Sequence, residues 1–242
     1  MPELLKWPIL FAAALVASTL AAVTGFGGAA VLLPVLVAAF GVRAAIPILT
    51  VAQLIGNASR VWFNRRELNW RVVAWFALGG IPMALLGGYL FAAAPLTPLT
   101  RLLGLFLLLV VLWRHLRPRL SRPFPAPAFA AIGAGSSFLS ALLGSVGPIM
   151  APFFLAFGLV KGAYIGTEAL STVVMHIAKL IAYRNTALLT SADTLTGLAL
   201  GPVMIAGSFL GKRIVDRLSE KFFVLLIEAV LILAGLTFLI HP

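Results

Sequence analysis

Thr24-Gly25-Phe26-Gly27-Gly28 interrupts an apolar stretch that runs from residue 8 to residue 40, and Gly144-Ser145-Val146-Gly147-Pro148 interrupts a second, from 128 to 158. As one straight helix each stretch would measure roughly 45–50 Å, against a hydrocarbon core of about 30 Å. Neither is an ordinary spanning helix. Glycine admits positive φ and proline is tolerated in a first helical turn, so each reads as a helix, a break and a second, shorter helix. Both are expected to form hairpins, re-entrant or fully crossing. Backbone left open at such a break survives at membrane depth only where protein or a water-filled cavity covers it.

The helix after each break repeats as well. Gln53, Asn57, Arg60 and Asn64 are spaced i, i+4, i+7, i+11, and Thr172, His176, Lys179 and Tyr183 repeat that spacing 119 residues later. In a helix this puts four polar side chains on one face. Farther along, Pro82, Gly87 and Leu90 recur as Pro202, Gly207 and Leu210. Duplicated hydrophobic halves with matching interruptions mark a carrier whose site lies between its repeats.

Of 242 residues 62% are hydrophobic and only 10% charged, more apolar surface than one soluble core buries. The chain therefore reads as an all-α polytopic membrane protein whose large partner is the lipid bilayer. The net charge of +11 does not point to nucleic acid, because the arginines sit in short links between apolar segments, where they orient insertion. There is no cysteine, which excludes disulfides and thiolate metal sites. Ser171 and His176 are five apart and face different ways, and no zinc-protease or phosphate-loop motif occurs. No catalytic residue, metal or cofactor is expected. Residues 1–22 share features with a signal peptide. The repeat, however, needs them as the partner of residues 128–143.

Apolar length predicts spans at 44–63, 71–91, 99–114, 162–183, 193–211 and 222–240, which with the two hairpins make about 8–10 membrane segments. If the N-terminus faces out and each hairpin returns to its starting side, 13 of the 18 Lys and Arg residues face the cytoplasm, among them Arg65, Arg66, Arg71, Lys212 and Arg213. Residues 1–114 and 128–242 are then two inverted repeats, joined by a cytoplasmic Arg- and Pro-rich linker at 115–127. Reading each broken stretch as one distorted crossing gives parallel halves instead. It also puts the basic cluster at 212–221 outside, against the charge rule.

The second helix of each hairpin starts at the glycines, where free N–H groups and the positive dipole end favour an anion. Thr24, Gly25, Gly27 and Gly28, with Gly144, Ser145 and Gly147, are the backbone candidates for holding a small anionic substrate. Gln53, Asn57, Thr172 and His176 are neutral donors for its oxygens, and Lys179 supplies charge. Arg60 is expected to snorkel to the interface. Glu168, one turn before Thr172, is the candidate for a coupling proton or for pairing with a base; Glu228 is expected to pair with a base of another helix. The competing reading makes the glycines packing devices and the polar stripes interhelical glue.

Gly25-Phe26-Gly27-Gly28 followed by Leu33-Pro34, the counterpart from Gly144 to Pro152, and the Gly-rich segments at 79–90 and 201–211 resemble the TauE/SafE family, also called the sulfite exporter or DUF81 family. The resemblance covers essentially the whole chain. It implies a bacterial or archaeal inner-membrane carrier that exports sulfite or a related organosulfonate. The residues leave two other readings open, a channel or carrier for another small anion and a non-transporting scaffold subunit. The second break departs from the first, with Ser145, Val146 and Pro148 where more glycine would make a symmetrical clamp.

Overall fold

The computed structural model describes residues 3–93, 125–144, 146–219 and 222. The expected span at 99–114, that at 222–240 beyond its first residue, residues 115–124 of the linker, Ser145 and Glu228 lie outside the described residues. Every regular element described is helical: α1 (Glu3–Thr24), α2 (Gly28–Phe40), α3 (Val42–Phe63), α4 (Trp70–Ala93), a short 3-10 turn (Ala126–Ala128), α5 (Phe129–Leu143), α6 (Gly147–Ala156), α7 (Lys161–Asn185), α8 (Ser191–Ala199) and α9 (Gly201–Arg217). Among the described residues six segments are long and apolar enough to cross a membrane: Leu5–Thr24, Val42–Phe63, Trp70–Ala93, Ala126–Leu143, Lys161–Asn185 and Ser191–Arg217.

Both long apolar stretches break where the glycines stand. α1 ends at Thr24, and Gly27, at φ 88°, turns the chain in the left-handed region before α2 begins. α5 ends against Gly144, at φ 82°, and α6 starts at Gly147. The expected span at 193–211 lies within the single candidate crossing Ser191–Arg217, which is interrupted at Leu200. Pro202 has no N–H to continue the ladder, so α8 stops at Ala199 and α9 restarts after Leu200. α8 is locked at its start by a reciprocal capping box, in which the Asp193 N–H donates to Thr190 Oγ1 at 3.1 Å and the Thr190 N–H donates to Asp193 Oδ2 at 3.1 Å.

Glycines let the helices of the two halves approach closely. A methyl added at Gly87 of α4 would stand 2.7 Å from the Phe138 carbonyl of α5, and one at Gly207 or Gly211 of α9 would stand 2.8 Å from the Leu15 or Thr19 carbonyl of α1. α4 thus packs on α5, and α1 on α9. These contacts also give directions. Gly79 meets Ala130 and Gly87 meets Phe138, so α4 and α5 run in the same sense; Gly207 meets Leu15 and Gly211 meets Thr19, so α1 and α9 do too. α3 opposes α7, since Asn64 lies beside Gly166 while Arg60 lies beside Glu168. Gly197 on Val51 and Gly201 on Ile55 align α3 with α8 and α9, and Asn69 on Thr167 with Gly88 on Ala182 aligns α4 with α7. Hence α1, α3 and α9 run one way, and α4, α5 and α7 the other.

Outward faces carry apolar side chains such as Leu78, Leu86 and Leu90 on α4 and Ile205, Phe209 and Leu210 on α9, as lipid requires. At one end of the bundle the α3–α4 link, the start of α7 and the end of α9 meet. There Lys212 Nζ lies 2.8 Å from Asp216 and 3.6 Å from Glu67, and a methyl on Gly162 would stand 2.5 Å from Glu67 Cδ. Arg65 stacks on Trp62 at 4.5 Å and Arg213 on Phe209 at 4.3 Å, and Trp62 and Trp70 are about two-thirds exposed. Stacked bases with exposed tryptophans are what an interface between lipid and water selects.

Candidate functional site

The two breaks meet inside the bundle. A methyl added to Gly147 would stand 2.5 Å from Phe26 Cβ, so the start of α6 rests directly on the first break. Around this contact lies a cavity of about 50 Å³. At roughly 10–15 Å³ per water-sized occupant, that is room for about four such atoms. Its walls include Gly25, Gly27 and Gly28 from the first break, Gly144 and Gly147 from the second, and Gln53, Asn57, Glu168, Thr172 and His176 from the stripes of α3 and α7. Neither α2 nor α6 has a side-chain cap, so the first-turn N–H groups of both are left to other partners. The supply is unequal: Pro148 has no N–H, and the Ile149 N–H is bonded to the Val146 carbonyl at 3.0 Å.

Arg60 corrects its expectation. It does not snorkel: it is 6% exposed and turns inward, with Nη1 donating to the Ala21 carbonyl at 2.9 Å, to the Gly25 carbonyl at 3.0 Å and to Glu168 Oε2 at 3.4 Å. The physical reason is the break itself. α1 ends in mid-protein with a negative dipole end; the guanidinium faces that end, sharing the Ala21 carbonyl with the Gly25 N–H and donating also to the Gly25 carbonyl beyond the helix. Its Nη2 donates to Asn57 Oδ1, and Asn57 Nδ2 in turn donates to the Gln53 carbonyl at 2.8 Å. Glu168 Oε1 accepts from Thr172 Oγ1 at 2.9 Å. The buried carboxylate is thus paired with Arg60 and hydrogen-bonded by Thr172, as a charge in such a place must be.

His176 is different. Its side chain is wholly buried, it lines the cavity, and neither ring nitrogen has a hydrogen-bond partner among the described residues. Buried polar atoms in proteins nearly always have partners, so an imidazole left open at a cavity wall is placed to bond with whatever fills the cavity, water included. Lys179, one turn on, does not reach the cavity wall; its Nζ donates to Ser140 Oγ at 3.2 Å. Tyr183 donates to the Ala141 carbonyl at 2.6 Å. Thr24 also stays out of the cavity, its hydroxyl held by the Leu20 and Phe26 carbonyls at 3.0 and 2.8 Å.

Sequence reasoning missed several lining residues. Ser18, Ser140 and Ser208 bring short hydroxyls to the wall, and Phe26, Met150, Met175 and Met204 bring apolar surface. The serines carry a faint signal, as hydroxyls in otherwise apolar helices; the methionines carry none.

A multi-span helical bundle in which two broken helices meet over a small cavity with polar groups in its wall is an architecture that suits passage of small solutes. The chain belongs to the family described as Sulfite exporter TauE/SafE, whose model matches residues 10–238. It is a multi-pass membrane transporter of that family. No curated protein and no solved structure matches it.

Proposed function

We propose that this protein carries a small sulfur-containing oxyanion, sulfite or an organosulfonate, outward across a bacterial or archaeal inner membrane. The observation that carries the reading is His176, buried at a cavity wall with both ring nitrogens unpartnered among the described residues. A neutral imidazole offers one donor and one acceptor, and a partly protonated oxyanion offers the complement of both. The cavity volume suits a solute of about four heavy atoms. The sulfur class and the outward direction come from the family's description.

Transport proceeds by alternating access, one repeat rocking against the other about the site between the breaks. The opposed directions of α1 and α5, α3 and α7, and α4 and α9 support inverted repeats over 1–114 and 128–242. Each of the two crossings, α1 with α9 and α4 with α5, joins one half to the other, so rocking would shear these close, glycine-lined contacts. The end that holds Arg65, Arg66, Arg71, Lys212 and Arg213 faces the cytoplasm under the charge rule.

The test is efflux of radiolabelled sulfite from proteoliposomes holding the full chain. Saturable flux is expected, and His176→Ala should lower it about tenfold, the effect of one lost hydrogen bond to a charged group, at unchanged amounts of inserted protein. Flux that never saturates points to a channel. Wild-type flux from His176→Ala places the site elsewhere, and no flux from wild type leaves the scaffold reading.

A further inference from the structure

Building on the assignment of an oxyanion to this cavity, we propose that the occupied site takes a singly charged oxyanion, and that Lys179, acting through the Ser140 hydroxyl, sets that charge.

Lys179 is wholly buried, and Ser140 is its single hydrogen-bond partner among the described residues. No carboxylate among those residues is near to neutralise it. Of the helices packed against α7, α3, α4, α5 and α6 contain no Asp or Glu. Glu3 is the first residue of α1, and Asp216, next to last in α9, is held by Lys212 at 2.8 Å. Glu168 lies on α7 itself, eleven residues away or roughly 16 Å along the axis, and is engaged by Arg60 and Thr172. Among the described residues Arg60 and Glu168 cancel, so the buried side chains around the cavity leave one positive charge. The carbonyl end of α5, where Ser140 sits, and the N–H ends of α2 and α6 at the cavity add partial charges of opposite sign.

An uncompensated charge at membrane depth is costly. One negative charge in the cavity removes that cost, whereas two would replace it with a buried net negative charge. The route from Lys179 to the ligand is short. Ser140 Oγ accepts from the ammonium and lines the cavity, and its own O–H has no acceptor among the described residues. A hydroxyl polarised by a cation is a stronger donor, and it faces the same cavity as the open imidazole of His176. The substrate class is therefore bisulfite or a sulfonate with no second anionic group, rather than a dianion.

Methanesulfonate and sulfate separate charge from shape, since both are tetrahedral and of similar size. In proteoliposomes of the full chain, efflux of labelled methanesulfonate is expected, and an equal concentration of sulfate should neither be carried nor compete. Lys179→Met should lower methanesulfonate flux at least about tenfold, and Lys179→Arg should restore most of it. Ser140→Ala, a change small enough to leave the fold intact, should weaken methanesulfonate competition about tenfold. Sulfate carried as well as methanesulfonate by wild type, or methanesulfonate competition unchanged in Ser140→Ala, overturns the charge assignment and leaves the transport reading standing. Absence of flux for methanesulfonate, sulfate and sulfite alike in wild type overturns the transport reading and this inference with it.

Discussion

Arg60 and Lys179 occupy corresponding places in the two halves, 119 residues apart, and each reaches to the helix that precedes the break in its own half. Their targets correspond as well: Arg60 meets the Ala21 carbonyl, and Lys179 meets Ser140, again 119 residues on. The surroundings differ. Arg60 has Glu168 and two carbonyls, so its charge is engaged in holding the fold across the halves. Lys179 has one hydroxyl. At the same spacing in the sequence, one basic residue is thus a structural tie, while under the proposal above the other is an available charge.

The largest expected effect breaks the tie. Arg60→Met leaves Glu168 buried without its cation and should cost about 3–5 kcal/mol, read as a fall in Tm of the detergent-solubilised protein. Replacing Glu168 by Met as well should recover much of the loss. Lys179→Met strands no partner and should cost only about 1 kcal/mol, the worth of one hydrogen bond, while flux collapses. Equal Tm losses for Arg60→Met and Lys179→Met would erase the distinction between the two positions.

Next in size is the contact between the breaks. Gly147→Val drives a side chain into Phe26 and should cost about 1–3 kcal/mol by overpacking, with flux lost as the cavity closes. A protein with wild-type flux would show that the breaks need not touch. Smaller again is Thr172→Val, which removes one bond to Glu168 and should cost about 1–2 kcal/mol in Tm terms. The smallest effect on transport belongs to Thr190→Ala, away from the breaks: loss of the α8 capping box should cost about 1 kcal/mol and leave flux per folded protein unchanged.

Much of this architecture is legible in the sequence because lipid leaves few options. Apolar length and the glycine clusters place the helices of the described residues within a few residues and locate both breaks, since a stretch too long to span must bend where glycine permits. The stripes predict that Gln53, Asn57, Thr172 and His176 come together, and all four line the cavity. Arg60 misleads because its helix position says interface, whereas the partners that draw it inward, the Ala21 and Gly25 carbonyls, are backbone atoms that carry no residue-type signal. Ser140 escapes the sequence for a related reason. Its role depends on a lysine thirty-nine positions away.

The proposed transport requires an oxyanion seated between the two breaks against His176. Selenite, an electron-rich analogue of sulfite, tests it most directly through anomalous diffraction from crystals of the full chain soaked with the salt. One selenium peak is expected in the cavity, with ligand oxygens within hydrogen-bonding distance of the His176 ring and Ser140 Oγ. Selenium bound elsewhere, with the cavity between Phe26 and His176 holding only water, would contradict it.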